Sequence, residues 1–387
     1  MLLRSSLLLI LALQTYGQER VAIKVTNNVP LVPVHVNGRD LLFVLDTGNE
    51  RSAIHSPLVT SLNMKTVANV KVLRNYRILE TTAVEASTVE VGTHLFAHKI
   101  LTVADMRPAS RALDAEVDGI LGNDILQEIV FTLNYSKPEL TLNPVQADRS
   151  RGATLELHQD GEQFFAHVQL MSQATDLLVD TGANSTNLSW SAWQRLSHQW
   201  KPTTIVEGVT RAGVPTPPAF FACLPTLSLG GLTTSDQVVR IQAQVESGAF
   251  AKESFDGILG SDVLRKFEVT FDFKHSRIFL KADPAFQPDI YRYSTIGVQF
   301  ARNDRGGYSV MSVWKNSPAD EAGVLIGDEI KSVDGDFTDS MSTTQLSARL
   351  RGKEGTPVTL TIERDGRTSA LMMHTRQMLC PGHNAGQ

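Results

Sequence analysis

Two short segments of the 387-residue chain carry an acidic residue at the end of an apolar run. The sequence reads LLFVLDTGN at 41–49 and DLLVDTGAN at 176–184, so Asp46 and Asp180 each begin an Asp-Thr-Gly triplet. A carboxylate at the tip of a buried strand is costly to ionise alone. Two such groups in contact share one proton, because like charges at that distance cannot both form. One group can then take a proton from water while the other donates one to a carbonyl.

The surroundings of the triplets repeat as well. The segment DGILG occurs at 118–122 and again at 256–260. Both halves are rich in short β-branched and aromatic runs that Gly, Pro, Asn or Asp interrupt, which is typical of strands. We predict two mostly β lobes, at 21–145 and 154–281, whose carboxylates meet across a pseudo-twofold axis. Each Ile-Leu-Gly segment is expected to form a strand packed beneath its triplet.

A short helix is predicted after each Ile-Leu-Gly segment. Asn123 follows the first segment and Ser261 follows the second. Both residue types accept a hydrogen bond from the first turn of a helix, so both are predicted as N-caps.

The lobes resemble the pepsin and retropepsin class of aspartic peptidases, in which Asp-Thr-Gly and a later hydrophobic-hydrophobic-Gly mark each lobe. The resemblance covers about 21–281, with two retropepsin-like units fused in one chain. It implies a peptidase with Asp46 and Asp180 as the catalytic dyad. It also implies four supporting residues, which are Thr47, Gly48, Thr181 and Gly182. The family closes its cleft with a β-hairpin flap, for which the candidates are 74–80 and 207–215.

The first lobe departs from the family spelling. Asn49 follows its triplet where a small Ser or Ala is expected. This side chain could hydrogen-bond near the dyad and change its pKa, or it could mark a lobe that has lost activity. The prediction is an endopeptidase that acts on peptides or proteins, as a monomer with an internal pseudo-dimer. The alternatives are a non-catalytic peptide-binding scaffold and an enzyme that pairs its lobes between two chains.

The segment 294–376 follows a Pro-containing linker at 282–293 and resembles a PDZ domain of the bacterial protease-associated type. The stretch SVWKNSPADEAGVLIGDEIKSVDG carries this resemblance. It implies a partly open α+β barrel that binds a peptide terminus by adding a strand to a sheet edge. The predicted carboxylate loop is Gly306, Gly307 and Tyr308, because glycines leave N–H groups exposed for an anion. The alternative is a domain that only holds the lobes together or assembles protomers.

The N-terminal residues predict export. The segment MLLRSSLLLILALQTYG has one Arg, an apolar core and small residues before a cleavage point after Gly17. This pattern is typical of a secretory signal, and its apolar part is too short to span a bilayer. We therefore expect a periplasmic or secreted protein, with an uncleaved anchor as the alternative. Export permits a disulfide between Cys223 and Cys380, but the sequence leaves their pairing open.

Composition and motifs limit the other partners. The formal net charge of −5 argues against nucleic acid as a partner. The chain contains no HExxH, GxSxG, phosphate-binding loop or dinucleotide fingerprint. His94 and His98 lie in a strand-like pattern, where their spacing is too wide for one metal ion. No cofactor and no metal are expected.

Overall fold

The structure, a computed structural model, describes residues 18–74, 77–144, 152–201, 204–207, 209–211, 214–216, 219–245 and 248–380. For the strands within 73–79 and 202–218 it describes the backbone only. The fold is mostly β, with two lobes followed by a PDZ region, and this confirms the predicted fold class. No helix in the described ranges is long and apolar enough to cross a bilayer.

The first lobe is a closed barrel with additional strands. Its strands and helices are β1 (Glu19–Ala22), β2 (Lys24–Thr26), β3 (Val29–Val36), β4 (Arg39–Leu45), β5 (Ala53–His55), α1 (Ser56–Ser61), β6 (Lys65–Arg74), β7 (Arg77–Val91), β8 (His94–Ala104), α2 (Arg107–Leu113), β9 (Gly119–Leu121), α3 (Asn123–Leu126), β10 (Phe131–Asn134) and β11 (Glu139–Leu142). The barrel order is β3-β4-β9-β5-β8-β7, and β7 pairs back onto β3. Asn37 and Gly38, with φ of 47° and 85°, form the tight turn between β3 and β4.

The second lobe repeats this barrel. Its strands and helices are β12 (Gly152–Asp160), β13 (Gln163–Leu170), β14 (Gln173–Asp180), β15 (Asn187–Leu188), α4 (Trp190–Leu196), β16 (Thr204–Glu207), β17 (Val209–Arg211), β18 (Val214–Thr216), β19 (Ala219–Leu229), β20 (Leu232–Gln242), β21 (Gly257–Gly260), α5 (Ser261–Leu264), β22 (Phe267–Asp272) and β23 (Arg277–Ala282). The barrel order is β13-β14-β21-β15-β20-β19, and β19 pairs back onto β13. Each barrel therefore contains the strand that leads to its triplet and the Ile-Leu-Gly strand beside it.

An antiparallel sheet joins the lobes in the order β1-β11-β10-β22-β23-β12, and β12 continues it into the second barrel by pairing with β13. Its two central strands pair Thr132 with Thr270, and their hydroxyl oxygens lie 2.7 Å apart. Next to this pair the rings of Phe131 and Phe271 stack with centroids 4.7 Å apart. Thr132 and Thr270 are equivalent residues of the two lobes, so the pseudo-twofold axis passes between them. One continuous apolar core extends from the first lobe into the second.

The PDZ region has an apolar core of its own. Its strands and helices are β24 (Ser294–Thr295), β25 (Val298–Arg302), β26 (Tyr308–Trp314), α6 (Pro318–Glu321), β27 (Glu329–Val333), β28 (Asp336–Phe337), α7 (Thr343–Arg349), β29 (Pro357–Arg364), β30 (Arg367–His374) and β31 (Arg376–Gln377). Ser342 and Gln345 form a capping box at the start of α7. Short 3-10 turns are also present at Ala249–Ala251 and Phe273–His275 in the second lobe and at Thr338–Ser340 in the PDZ region.

The PDZ region is joined firmly to the second lobe. β26 pairs antiparallel with β16, which places Val206 opposite Trp314. The Trp314 ring stacks on Phe221 with centroids 5.5 Å apart. Cys223 of β19 and Cys380, beyond the last PDZ strand, form a disulfide. The pairing that the sequence left open thus fastens the C-terminal tail to the second lobe.

Candidate active site

Each Asp-Thr-Gly triplet is positioned by a parallel pair of strands. β4 ends at Leu45 beside β9, and the Asp46 N–H donates to the Leu121 carbonyl over 3.0 Å. β14 ends at Asp180 beside β21, with Asp180 in register with Gly260. The residues before each Asp are buried and mostly apolar. Packing therefore fixes both strands and carries each acid to a strand end.

The two carboxyl groups lie side by side and are hydrogen-bonded to each other. The Gly48 N–H donates to Oδ1 of Asp46 over 3.0 Å. The Ala183 N–H donates to Oδ1 of Asp180 over 2.9 Å. Both aspartates remain partly exposed. The pair is thus held by backbone donors and is still reachable from outside.

The glycine of each triplet has no room for a side chain. A Cβ added to Gly48 would lie 2.3 Å from Cγ of Asp180. A Cβ added to Gly182 would lie 2.5 Å from Cγ of Asp46. Each glycine therefore packs against the carboxyl group of the opposite lobe, and any larger residue would push that group out of the pair.

The two threonines lock the triplets together. The Thr47 hydroxyl donates to the Val179 carbonyl over 2.8 Å, and the Thr181 hydroxyl donates to the Leu45 carbonyl over 2.6 Å. Each hydroxyl also accepts the backbone N–H of the other threonine over 3.1 Å. Both threonines are completely buried. Four hydrogen bonds thus cross the lobe boundary directly below the carboxyl groups, and the structure brings all six predicted dyad and support residues together.

The environment raises the pKa of both aspartates. Burial is the main cause at Asp46, followed by the negative charge of Asp180, and together they raise its pKa well above the usual 3.8. Burial also raises the pKa of Asp180, but the Ala183 N–H and a hydrogen bond from Asp46 oppose that rise. The pair therefore holds one proton between its two carboxyl groups above the pH at which an isolated aspartate would lose its own.

Asn49 acts near the dyad through its backbone. Its N–H lies 3.4 Å from the Asp46 carbonyl and lowers the pKa of the Asp46 carboxyl group. Its carbonyl accepts the Asn123 N–H over 2.9 Å. The equivalent Ala183 carbonyl accepts the Ser261 N–H over 2.8 Å. The backbone of the turn is therefore matched in the two lobes, despite the unusual Asn.

Asn123 and Ser261 do not cap helices, contrary to the prediction. The N-caps of α3 and α5 are Gly122 and Gly260, and no side chain caps either helix. Because Asn123 and Ser261 follow these glycines inside the first turn, their side chains point back to the triplets. The Asn123 amide donates to the Thr47 carbonyl over 2.8 Å. The Ser261 hydroxyl donates to the carbonyl of the equivalent threonine over 2.9 Å.

Each of these contacts is completed from the opposite lobe. The Asn123 amide also donates to the Glu162 carbonyl in the second lobe over 2.7 Å. Tyr135 of the first lobe lies 2.8 Å from the Ser261 hydroxyl, and burial raises the pKa of its phenol, so the phenol stays protonated and can donate. The sequence patterns did not predict that the Asn123 and Ser261 side chains support the triplets. The available signal was that both residues directly follow an Ile-Leu-Gly segment.

A second set of equivalent hydrogen bonds, one in each lobe, connects each triplet loop to the segment around its Ile-Leu-Gly strand. The Ser52 hydroxyl donates to Oδ1 of Asp124 over 2.6 Å and accepts the Gly122 N–H over 3.0 Å. In the second lobe the Thr186 hydroxyl donates to Oδ1 of Asp262 over 2.7 Å. Burial raises the pKa of both Asp124 and Asp262. In the sequence, the signal for these hydrogen bonds was the Asp that recurs two residues after each Ile-Leu-Gly, at Asp124 and Asp262.

The predicted PDZ carboxylate loop lies in the hairpin between β25 and β26. The Gly306 N–H donates back to the Asn303 carbonyl over 3.1 Å. Tyr308 is completely buried, and its hydroxyl donates to the Met341 carbonyl over 2.9 Å. The Gly307 carbonyl accepts the Asn303 N–H over 2.8 Å, so all three residues of the predicted loop make hydrogen bonds within the PDZ domain. The role of this loop in binding a carboxylate stays a prediction.

Both flap candidates contain β-hairpins. β6 and β7 pair up to Arg74 and Arg77, and β17 and β18 pair up to Arg211 and Val214. The tips of both hairpins, at 75–76 and 212–213, lie outside the described residues. Among the residues that are described, no group of three or more His, Cys, Asp or Glu could hold a metal ion.

Comparison with protein families agrees with this geometry. Residues 32–125 and 166–263 match the aspartyl protease family, and residues 294–374 match the PDZ domain family. The chain contains an aspartyl protease domain and a PDZ domain. No curated protein matches the chain. Each matched aspartyl protease segment contains one Asp-Thr-Gly triplet and its Ile-Leu-Gly strand, so the two segments are the two halves of one protease-type site.

Proposed function

We propose that this protein is an exported aspartic endopeptidase that hydrolyses peptide bonds with Asp46 and Asp180. One observation carries the proposal. The two carboxyl groups share a hydrogen bond, remain partly exposed, and rest on four buried hydrogen bonds between Thr47 and Thr181 and the strands below them. A scaffold that only bound peptides would have no need for two raised pKa values at one point.

The shared proton divides the two chemical roles between Asp46 and Asp180. The ionised carboxylate of the pair is the base, which takes a proton from a water molecule as that water attacks the scissile carbonyl carbon. The protonated carboxyl group is the acid, which donates its proton to the carbonyl oxygen. The tetrahedral intermediate then collapses as a proton passes to the leaving amine. No covalent bond to the enzyme forms, because each carboxyl group only transfers a proton.

Export is part of the proposal. The first 17 residues have the pattern of a secretory signal, and they lie outside the described residues. The disulfide between Cys223 and Cys380 supports export, because such bonds persist in oxidising compartments. We expect a monomer, since both halves of the site come from one chain.

The PDZ domain binds peptides, and we propose that it receives a free carboxyl terminus at the start of β25. Ile296, Gly297 and Val298 form this segment, and Gly297 has a φ of 87°. Arg351 lies next to it through a backbone bridge to Thr295, and its side chain pairs with Asp289. Because the Trp314 N–H bonds to the Gly297 carbonyl, the Val298 N–H points away from β26, where it suits a terminal carboxylate.

Peptide cleavage tests the proposed chemistry. A diverse library of unstructured peptides would be incubated with the full chain from about pH 3 to about pH 8. We expect cleavage by the wild type, block by a statine-type transition-state mimic, and loss in Asp180→Asn. Asp339→Asn is the matched control, because Asp339 is exposed and lies in the PDZ domain. Cleavage that survives in Asp180→Asn would refute the dyad, and a chain that binds but never cuts would be a scaffold.

A further inference from the structure

β25 has a free edge. Its hydrogen-bonded neighbour among the described strands is β26 alone. The Trp314 N–H of β26 donates to the Gly297 carbonyl over 2.9 Å, just before β25 begins. In an antiparallel ladder, successive residues direct their N–H and C=O groups alternately toward and away from the partner strand. Since Gly297 bonds to β26, the N–H and C=O groups of Val298, Phe300 and Arg302 point away from it. An added strand can therefore pair at these three positions.

α7 runs beside this free edge in the opposite direction. At the start of β25, the Ile296 N–H donates to the Leu350 carbonyl over 3.3 Å, just beyond α7. At the end of β25, Arg302 donates to the Met341 carbonyl over 2.8 Å, just before α7. β25 and α7 are thus the two walls of the peptide groove, and Arg302 marks its far end.

A carboxylate from the first lobe already occupies that far end. Asp114, which follows α2, accepts Nε of Arg302 over 2.8 Å and the Thr343 N–H over 3.1 Å. Arg111 of α2 also pairs with Asp304 in the turn after β25. Burial alone would raise the pKa of Asp114, but the hydrogen bonds from Arg302 and Thr343 lower it overall, so its carboxylate is charged at neutral pH. The first lobe therefore inserts an anion into the PDZ groove.

The PDZ domain, and not the first lobe, holds the Arg302 guanidinium in place. Two other nitrogens of Arg302 donate to the Gly306 carbonyl over 2.6 Å and to the Met341 carbonyl. The guanidinium also lies 4.6 Å from the ring centre of Tyr308. These contacts are all within the PDZ domain. The carboxylate site would therefore persist if Asp114 moved away.

We propose that Arg302 and the Thr343 N–H form a carboxylate site in the PDZ groove. This site selects peptides with an acidic side chain, and Asp114 occupies it until such a peptide binds. The proposal rests on the peptide binding proposed for the PDZ domain and not on proteolysis. A peptide that ends beside Val298 and pairs with β25 runs toward Arg302. Because pairing positions recur every second residue, its residue about four places before the end lies beside Arg302.

Two matched peptides test this selection. Peptides of about ten residues with a free carboxyl terminus would carry Glu or Gln about four places from the end. Their affinities would be measured on the full chain carrying Asp180→Asn, so that no peptide is cut. We expect the Glu peptide to bind about 3–10-fold more tightly, the gain expected of a partly exposed charge-assisted hydrogen bond.

Variants distinguish the role of Asp114, which competes with the peptide, from the role of Arg302, which binds it. Asp114→Asn should tighten binding of both peptides by a similar factor of about 3–10, because the charged competitor is gone. Asn suits the position, since residue 114 has a φ of 48° that Asn adopts readily. Arg302→Gln should remove the preference for Glu over Gln. Asp339→Asn is the control and should change neither value.

Three results would overturn the proposal. The first is equal binding of the Glu and Gln peptides together with no gain in Asp114→Asn, which leaves Arg302 intact. The second is a dependence on Arg302 that disappears when the peptide terminus is amidated, because Arg302 would then hold the terminal carboxylate and not a side chain. The third is no binding of either peptide to any variant. Since these measurements use an inactive chain, failure of the peptidase proposal would not affect them.

Discussion

At the scale of single residues, the site depends on two carboxyl groups that the fold forces together. Asp46 and Asp180 both have raised pKa values; burial is the main cause at both, and the negative charge of Asp180 adds to the rise at Asp46. A carboxyl group with a raised pKa in the folded state favours folding while it is protonated. That contribution is fully present below the unfolded value and is lost as the pH rises through the folded pKa.

The raised pKa values give a prediction about how the free energy of unfolding depends on pH. We expect Asp46→Asn to be more stable than the wild type at pH 7, because Asn keeps the shape of the pair and cannot place a second negative charge beside Asp180. The difference should shrink as the pH falls toward about 4, where the wild-type pair regains its proton. Urea unfolding of both proteins at several pH values measures this difference, with Asp339→Asn as a surface control. A difference that stays constant with pH would contradict the assigned pKa direction.

At the scale of elements, the central strands of the joining sheet hold the lobes in register. β10 and β22 meet at Thr132 and Thr270, whose hydroxyl groups are buried and hydrogen-bonded to each other. The triplets lie at strand ends in the two barrels, so their alignment depends on this register. A one-residue slip between β10 and β22 would turn each side chain to the other face.

The threonine pair gives a prediction with an internal check. We expect Thr132→Val or Thr270→Val alone to cost about 1–3 kcal/mol, since each leaves a buried hydroxyl without its partner. The double variant should cost less than the sum, because valine fits both strand positions and leaves no hydroxyl unpaired.

Urea unfolding of the two single variants and the double variant measures this coupling. Thr233→Val is the control, because its partner Ser228 is at the surface, and its effect should stay within about 0.5 kcal/mol. Strictly additive single effects would show that the hydroxyl groups do not interact.

At the scale of the whole molecule, the PDZ domain is attached to both lobes. The second lobe holds it by strand pairing, by the stack of Phe221 on Trp314 and by the disulfide. The first lobe holds it through polar contacts of Asp114 and Arg111. The attachment to the second lobe is apolar and covalent, whereas the attachment to the first lobe is ionic and partly exposed. Release of the PDZ domain is therefore expected on the side of the first lobe.

The disulfide gives a prediction for the whole chain. Cys223 and Cys380 are separated by 157 residues, so the bond removes much freedom from the unfolded state. We expect its reduction to lower the free energy of unfolding by about 2–5 kcal/mol. Thermal unfolding with and without a thiol reductant measures the change. A Cys223→Ser/Cys380→Ser double variant should unfold at the lower temperature and should not respond to the reductant; a double variant as stable as the oxidised chain would contradict the prediction.

The sequence by itself determined the parts of this protein that depend on neighbouring residues. Continuous apolar runs that end in Asp-Thr-Gly located Asp46 and Asp180, and the repeated Ile-Leu-Gly identified two equivalent lobes. The PDZ pattern was equally local. These signals are readable because a strand, a turn or a triplet is specified within a few residues.

Only the tertiary structure decided how distant residues meet. The pairing of Cys223 with Cys380, the turn of the Asn123 and Ser261 side chains toward the triplets, and the contact of Asp114 with Arg302 join segments far apart in the chain. Such contacts depend on how barrels and sheets pack against one another. No local pattern encodes those packing angles, so the position of the PDZ groove against the first lobe could not be derived from the sequence.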